Sequence, residues 1–263
     1  MLHPWQPVFD PEWAIAIVLV LVDYVLVARA AGRRGEPVPG LRWASFLSGL
    51  VIVALALFSP IEHLALTSMV SFHLLQNVMI ADWAPPLLVA GLTGAMMLAA
   101  ERRGWWRVAT TPALALVFWL LVWYAVHVPA FYGYALHHRW ALGIEHLAFL
   151  TAGILFWWPV LSPGRMAHAP KLVYLLLAFF VAAPLSLLLA LSHTPVYSFY
   201  AHTPKLGGIS ALEDQQLGAI TMAVEQAVIL FVACSVVFVR MLESEGEDEP
   251  ESEPDDYGLG LQR

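Results

Sequence analysis

The stretch KLVYLLLAFFVAAPLSLLLALS, Lys171–Ser192, carries a charge only at its first residue. A helix rises about 1.5 Å per residue, so roughly 20 apolar residues cross the hydrocarbon core of a bilayer. This stretch alone is long enough to span a membrane. Six further runs have the same character: residues 13–30, 43–59, 70–98, 112–128, 141–161 and 215–240. The run at 70–98 is too long for one straight span. Pro85 and Pro86 interrupt it, and proline removes a backbone donor and kinks a helix.

The whole chain agrees with these runs. It is 60% hydrophobic and 13% charged, whereas a soluble domain is about 25% charged. The expected fold is an all-α integral membrane protein, a seven-transmembrane-helix bundle over residues 1–242. Short loops favour antiparallel neighbours. The lead-in MLHPWQPVFDPEW lacks the basic region of a secretory signal, so the first apolar run is expected to be retained. Residues 243–263, beginning ESEGEDEPESEPDD, are acidic and without apolar periodicity. They read as a disordered cytoplasmic tail.

Orientation follows from the basic residues. Arg29, Arg33, Arg34, Arg42, Arg102, Arg103, Arg107, Arg165, Lys171 and Arg240 fall at one face of the bundle. With Arg263 that is 11 of the 13 Lys and Arg. Arg139 and Lys205 fall at the other face. The basic face reads as cytoplasmic, which puts the N-terminus outside and the C-terminus inside. The scattered basic residues give no footprint for nucleic acid. The single cysteine, Cys234, excludes an internal disulfide and reads as a small apolar helix residue.

In this topology the histidines divide unevenly. His168 is cytoplasmic. The other nine, His3, His63, His73, His127, His137, His138, His146, His193 and His202, are outside or in the outer part of a span. His73, His127, His146 and His193 lie near outer ends of four different spans. On the last span Asp214, Gly218 and Met222 recur at four-residue steps and share a face, as do Met69, His73 and Asn77 on the third. A ring of His73, His127, His146, His193 and Met222 at one depth would offer imidazole and thioether donors, a set suited to copper. The same histidines also suit a plain membrane–water interface, where His-x-Pro can end a helix. Asp82 and Glu225 lie deeper without a visible Lys or Arg partner, and intramembrane acids are functional suspects.

Four blocks carry a resemblance. They are HLLQ with APPLLVAG from His73; WYAVHVPAFYGYAL from Trp123; EHLAFLTAGILFWWPV from Glu145; and HTPVYSFY followed by GISALEDQQLGAITM. Over residues 60–235 the chain resembles the multi-span CtaG family of bacterial cytochrome c oxidase assembly factors. The resemblance implies a bacterial plasma-membrane protein that assists formation of the oxidase copper centre and meets an oxidase subunit as partner. It singles out His73, Gln76, Pro85, Pro86, His127, Pro129, Glu145, His146, Asp214, Gln215 and Met222. Asn77 stands where relatives often have His or Met, and Asp82 stands at an ordinarily apolar place.

The expected site is therefore a shallow outward-facing pocket between the third and seventh spans. His73, His127, His146, His193 and Met222 are its candidate copper ligands. Glu145 and Asp214 would orient imidazoles as acceptors, within a polar network of Gln76, Asn77, Asp82, Gln215 and Glu225. No enzymatic turnover is expected, since neither a Gly-x-Ser-x-Gly elbow nor a His-Glu-x-x-His pattern occurs. Two other functions use the same residues: a haem-binding membrane protein with axial histidines, or an ion or metal transporter working through Asp82 and Glu225.

Overall fold

A computed structural model describes residues 9–248, and no strand occurs among the described residues. The helices are α1 (Pro11–Arg33), α2 (Gly40–Phe58), α3 (Pro60–Thr67) and α4 (Val70–Val78), which runs through a π turn (Met79–Trp83) into α5 (Ala84–Ala90). Then come α6 (Gly94–Glu101), α7 (Gly104–Ala109), α8 (Pro112–Val126) and α9 (Pro129–His137). The long helices α10 (Arg139–Leu161) and α11 (His168–Ala190) follow, with the single turn α12 (Ser198–Ala201) before α13 (Ala211–Asp248).

Five helices, α1, α2, α10, α11 and α13, are each long and apolar enough to cross a bilayer. Two bent pairs raise the number to seven if each pair counts as one span. One is Val70–Ala90 with α6, bent by 107°, and the other is α8 with α9, bent by 73°. The second bend has a local cause. Helix α8 has 15 residues, about 22 Å of rise, and ends where Pro129 opens a new helix after the extended Val128.

The third expected span does not kink at its prolines. The backbone widens into the π turn just before them, and Pro85 and Pro86 then sit in the first turn of α5. The chain turns instead at Gly91–Thr93, and its freed carbonyls are taken by neighbours. Tyr24 donates to the Gly91 carbonyl at 2.9 Å, and Arg42 donates to the carbonyls of Ala90 and Leu92. Only glycine fits at 91, because a Cβ there would lie 2.9 Å from the Phe46 backbone.

Packing centres on the broken span. Helix α13 lies along α11 and α4, α2 lies along α5, and α10 covers α8, α5 and the π turn. Gly153 lets α10 approach so closely that a Cβ there would run into the Ala81 carbonyl and the Pro85 ring. Small residues at such contacts are how helices pack where no hydrophobic drive separates protein from lipid. An aromatic seam of Trp119, Trp123, Phe149 and Phe156 fills the space between α8 and α10. Helix α13 continues to Asp248, six residues past the boundary expected for the tail. His3 and residues 249–263 lie outside the described residues.

Candidate functional site

Helix α4 carries His73, and its first turn is capped from another helix. Met69 at the cap position offers no side-chain acceptor. Asp214 of α13 supplies one. Its carboxylate accepts from the Val70 N–H at 2.8 Å, the Ser71 N–H at 3.2 Å and the Ser71 hydroxyl at 2.5 Å. Lys205 stands 3.7 Å from the same carboxylate and donates to the carbonyls of Ser68 and Tyr200. Asp214 is thus a helix cap, not the imidazole acceptor expected from the sequence. One turn on, Gly218 holds α13 against Ser71 and Leu74. Met222 continues that face, fully buried.

His73 is hydrogen-bonded at Nδ1, while its buried Nε2 has no hydrogen bond and stands close to an acid. Nδ1 lies 3.0 Å from the Tyr200 hydroxyl, and Tyr200 itself donates to the Ala65 carbonyl. A hydroxyl has one hydrogen, so Tyr200 accepts from His73 Nδ1–H. Nε2 then faces Glu145 Oε1 at 3.3 Å. With Nδ1 carrying a hydrogen, that contact requires a proton on Nε2 or on the carboxyl. Asn77 donates to the same Glu145 oxygen at 3.2 Å. His73, Asn77, Glu145 and Tyr200 are therefore one bonded group, each at most 1% exposed.

His127 and His146 flank this group. His127 donates from Nδ1 to the Trp123 carbonyl at 2.7 Å, which leaves Nε2 as a bare acceptor. His146, beside Glu145 on α10, packs near Trp13 of α1. The Nε2 atoms of both histidines, Glu145 Oε2 and the Tyr132 hydroxyl are buried without a hydrogen-bond partner. The Tyr132 ring lies 4.6 Å from His73 and 6.3 Å from His127, and it stacks on Tyr197 at 4.2 Å. Tyrosines from α9, α12 and the segment before α12 thus roof the group. The site is closed, not the shallow open pocket expected.

His193 does not join it. Helix α11 ends at Ala190, and His193 falls beyond that end on an exposed turn. His137 and His138 are paired to carbonyls one turn back in α9. Gln76 and Gln215 are braces. Gln76 donates to the Ala56 carbonyl at 3.0 Å and to Glu62. Gln215 accepts from the Val196 N–H at 2.6 Å and donates to the Leu189 carbonyl at 3.1 Å. Asp82 and Glu225 form a separate, deeper group, where Trp83 donates to Glu225 at 2.9 Å.

The fit to a metal can be tested directly. Among the described residues, no three His, Cys, Asp or Glu side chains converge as a metal sphere. His73 and His127 both pack near the Tyr132 ring, and His193 is outside. The expected ring of His73, His127, His146, His193 and Met222 is therefore not assembled, because His193 stands apart on the surface.

Three residues escaped the sequence reading. Tyr132 and Tyr200 lie inside the quoted blocks without a role of their own, yet each is at most 1% exposed. Glu62 lay between two apolar runs and drew no attention. It sits on the short helix α3, and burial pushes its carboxyl up to about 7 against the opposing hydrogen bond from Gln76. The signal for α3 was SPIE, a Ser59 cap followed by Pro60 and an acid in the first turn.

A family model described as cytochrome c oxidase caa3 assembly factor (Caa3_CtaG) matches residues 22–244. No curated protein and no solved structure matches the chain. The family match covers the broken span, the His73–Glu145 group and the capping Asp214 together. The chain, a multi-pass membrane protein by its helices, belongs to the caa3-type cytochrome c oxidase assembly-factor family.

Proposed function

We propose that this chain assists formation of the oxidase copper centre in a bacterial plasma membrane, handling copper as cargo and catalysing no turnover. In this reading it spans the membrane seven times, with its N-terminus outside, and its protein partner is an oxidase subunit. The carrying observation is that His127 Nε2 and His146 Nε2 are shut in the bundle with no hydrogen-bond partner. An unsatisfied buried polar atom costs about 1–3 kcal/mol, and bare imidazole nitrogens are donors for Cu(I). The closed arrangement has no three-donor sphere, so no resident copper is assigned.

The test uses a host whose own copy is deleted, complemented with wild type, His127→Ala, His146→Ala or His193→Ala. Oxidase activity and the copper content of the purified oxidase are read. Wild type and His193→Ala are expected to restore both, and the two buried-histidine variants to restore neither despite normal abundance in the membrane. An oxidase with full copper in the deletion host would overturn the proposal.

A further inference from the structure

We propose that Asp82 and Glu225 form a proton-binding site in the bundle interior, with one proton shared between their carboxyl groups. Asp82 belongs to the π turn and Glu225 to α13, and they are 5% and 8% exposed. Helix α13 packs on the π turn, where Trp83, the neighbour of Asp82 in sequence, donates to Glu225 at 2.9 Å, and the two acids are each other's titratable neighbours. Each leaves one buried oxygen, Asp82 Oδ2 and Glu225 Oε1, with no donor. Two carboxylates cannot donate to each other, and no Lys or Arg forms an ion pair with either among the described residues. A single proton between them satisfies both oxygens and halves the charge held in the bundle.

The surroundings select a proton over a metal cation. Asp82, Trp119, Phe156, Trp157, Gln226, Ile229 and Leu230 line one cavity, and it is too narrow to seat a water molecule. A hydrated cation has no room there. The polar groups around the acids are donors. Trp83 N–H binds Glu225, and Trp119 lines the same cavity as Asp82. Gln226 is 2% exposed, and its Nε2 lacks a partner, as does Trp157 Nε1. Inward N–H groups stabilise a carboxylate oxygen and repel a cation, which wants oxygen ligands. Among the described residues, from α2, α4, α5, α8, α10, α13 and the π turn, no titratable group other than the two acids themselves acts on either one.

The site ties α13 to the π turn. Losing the shared proton would set two negative charges against each other inside the bundle and drive α13 away from Trp83.

Infrared spectra of the full chain in lipid nanodiscs test this. Wild type at pH 7 is expected to show the C=O stretch of a neutral carboxylic acid, shifted by deuterium exchange. Subtracting the spectrum of Asp82→Asn or of Glu225→Gln should reveal that band as missing. Asp82→Asn keeps the side-chain shape, so it serves if Glu225→Gln fails to fold. Superimposable spectra of wild type and both variants would overturn the proposal. So would a wild-type band abolished by sodium at constant pH, because a metal cation would then be the ligand.

Discussion

His73 Nε2 lies 3.3 Å from Glu145 Oε1, and neither side chain touches solvent. This contact joins α4 to α10 at the outer end of the broken span, and Asn77 adds a second bond to the same oxygen. Replacing Glu145 by Ala leaves both partners buried and unpaired. Breaking a buried pair in this way costs about 3–5 kcal/mol. Glu145→Gln keeps an acceptor oxygen and should lose less. Thermal unfolding in detergent, followed by tryptophan fluorescence, gives the comparison. Equal losses in the two variants would contradict the pairing.

Glu62 makes stability depend on pH. Burial raises its carboxyl from the ordinary 4.5 to about 7 in the folded chain. The folded state therefore binds the proton more tightly than the unfolded state. That contribution is complete below about pH 4.5 and is lost as pH rises through about 7, up to about 3 kcal/mol in all. Glu62→Gln should flatten this part of the stability profile. A wild-type midpoint that rises between pH 5 and pH 7 by a step Glu62→Gln removes would reverse the assigned sign.

Asp214 should behave as a cap. Asp214→Ala strips the first turn of α4 of its acceptor, and loss of a cap costs about 0.5–2 kcal/mol. Asp214→Asn retains an oxygen for Val70 or Ser71 and should cost less. Backbone hydrogen exchange at Val70 and Ser71 reads the effect locally. Unchanged protection there in Asp214→Ala would remove the cap from the account.

Two glycines separate close approach from mere helix position. Gly153→Ala forces α10 away from Ala81 and Pro85, and such overpacking costs about 1–3 kcal/mol. Gly133 on α9 has open space where a Cβ would stand, so Gly133→Ala should be neutral or stabilising by up to about 1 kcal/mol. Unfolding midpoints of the two variants should move in opposite directions or differ clearly in size.

The long apolar runs were legible because membrane helices announce themselves by length, and each of the five long helices overlaps one of them. The bent pairs were harder. Pro85 and Pro86 mark a break, but nothing local tells whether the backbone kinks there or widens into a π turn upstream. His73 emerged from the placement of the histidines and Glu145 from the resemblance, and their contact from neither, because it joins residues 72 apart on different helices. His193 was misplaced by a few residues at a helix end. That small shift carries a side chain from bundle interior to surface. Tyr132 and Tyr200 were hidden because a tyrosine that roofs a buried histidine is spelled like one that sits at a lipid headgroup.

Val70 and Asp214 are 144 residues apart, and the cap they form closes the order of synthesis into the site. A ribosome adds about 5–20 residues per second, so about 7–30 s separate the emergence of α4 from that of its cap. Through that interval the turn that carries His73 has no carboxylate to hold it, and the Tyr200 that fixes its ring is also still to come. The histidine group is completed only once α13 has been made. A nascent or truncated chain that stops before Asp214 possesses every histidine of the group without its geometry.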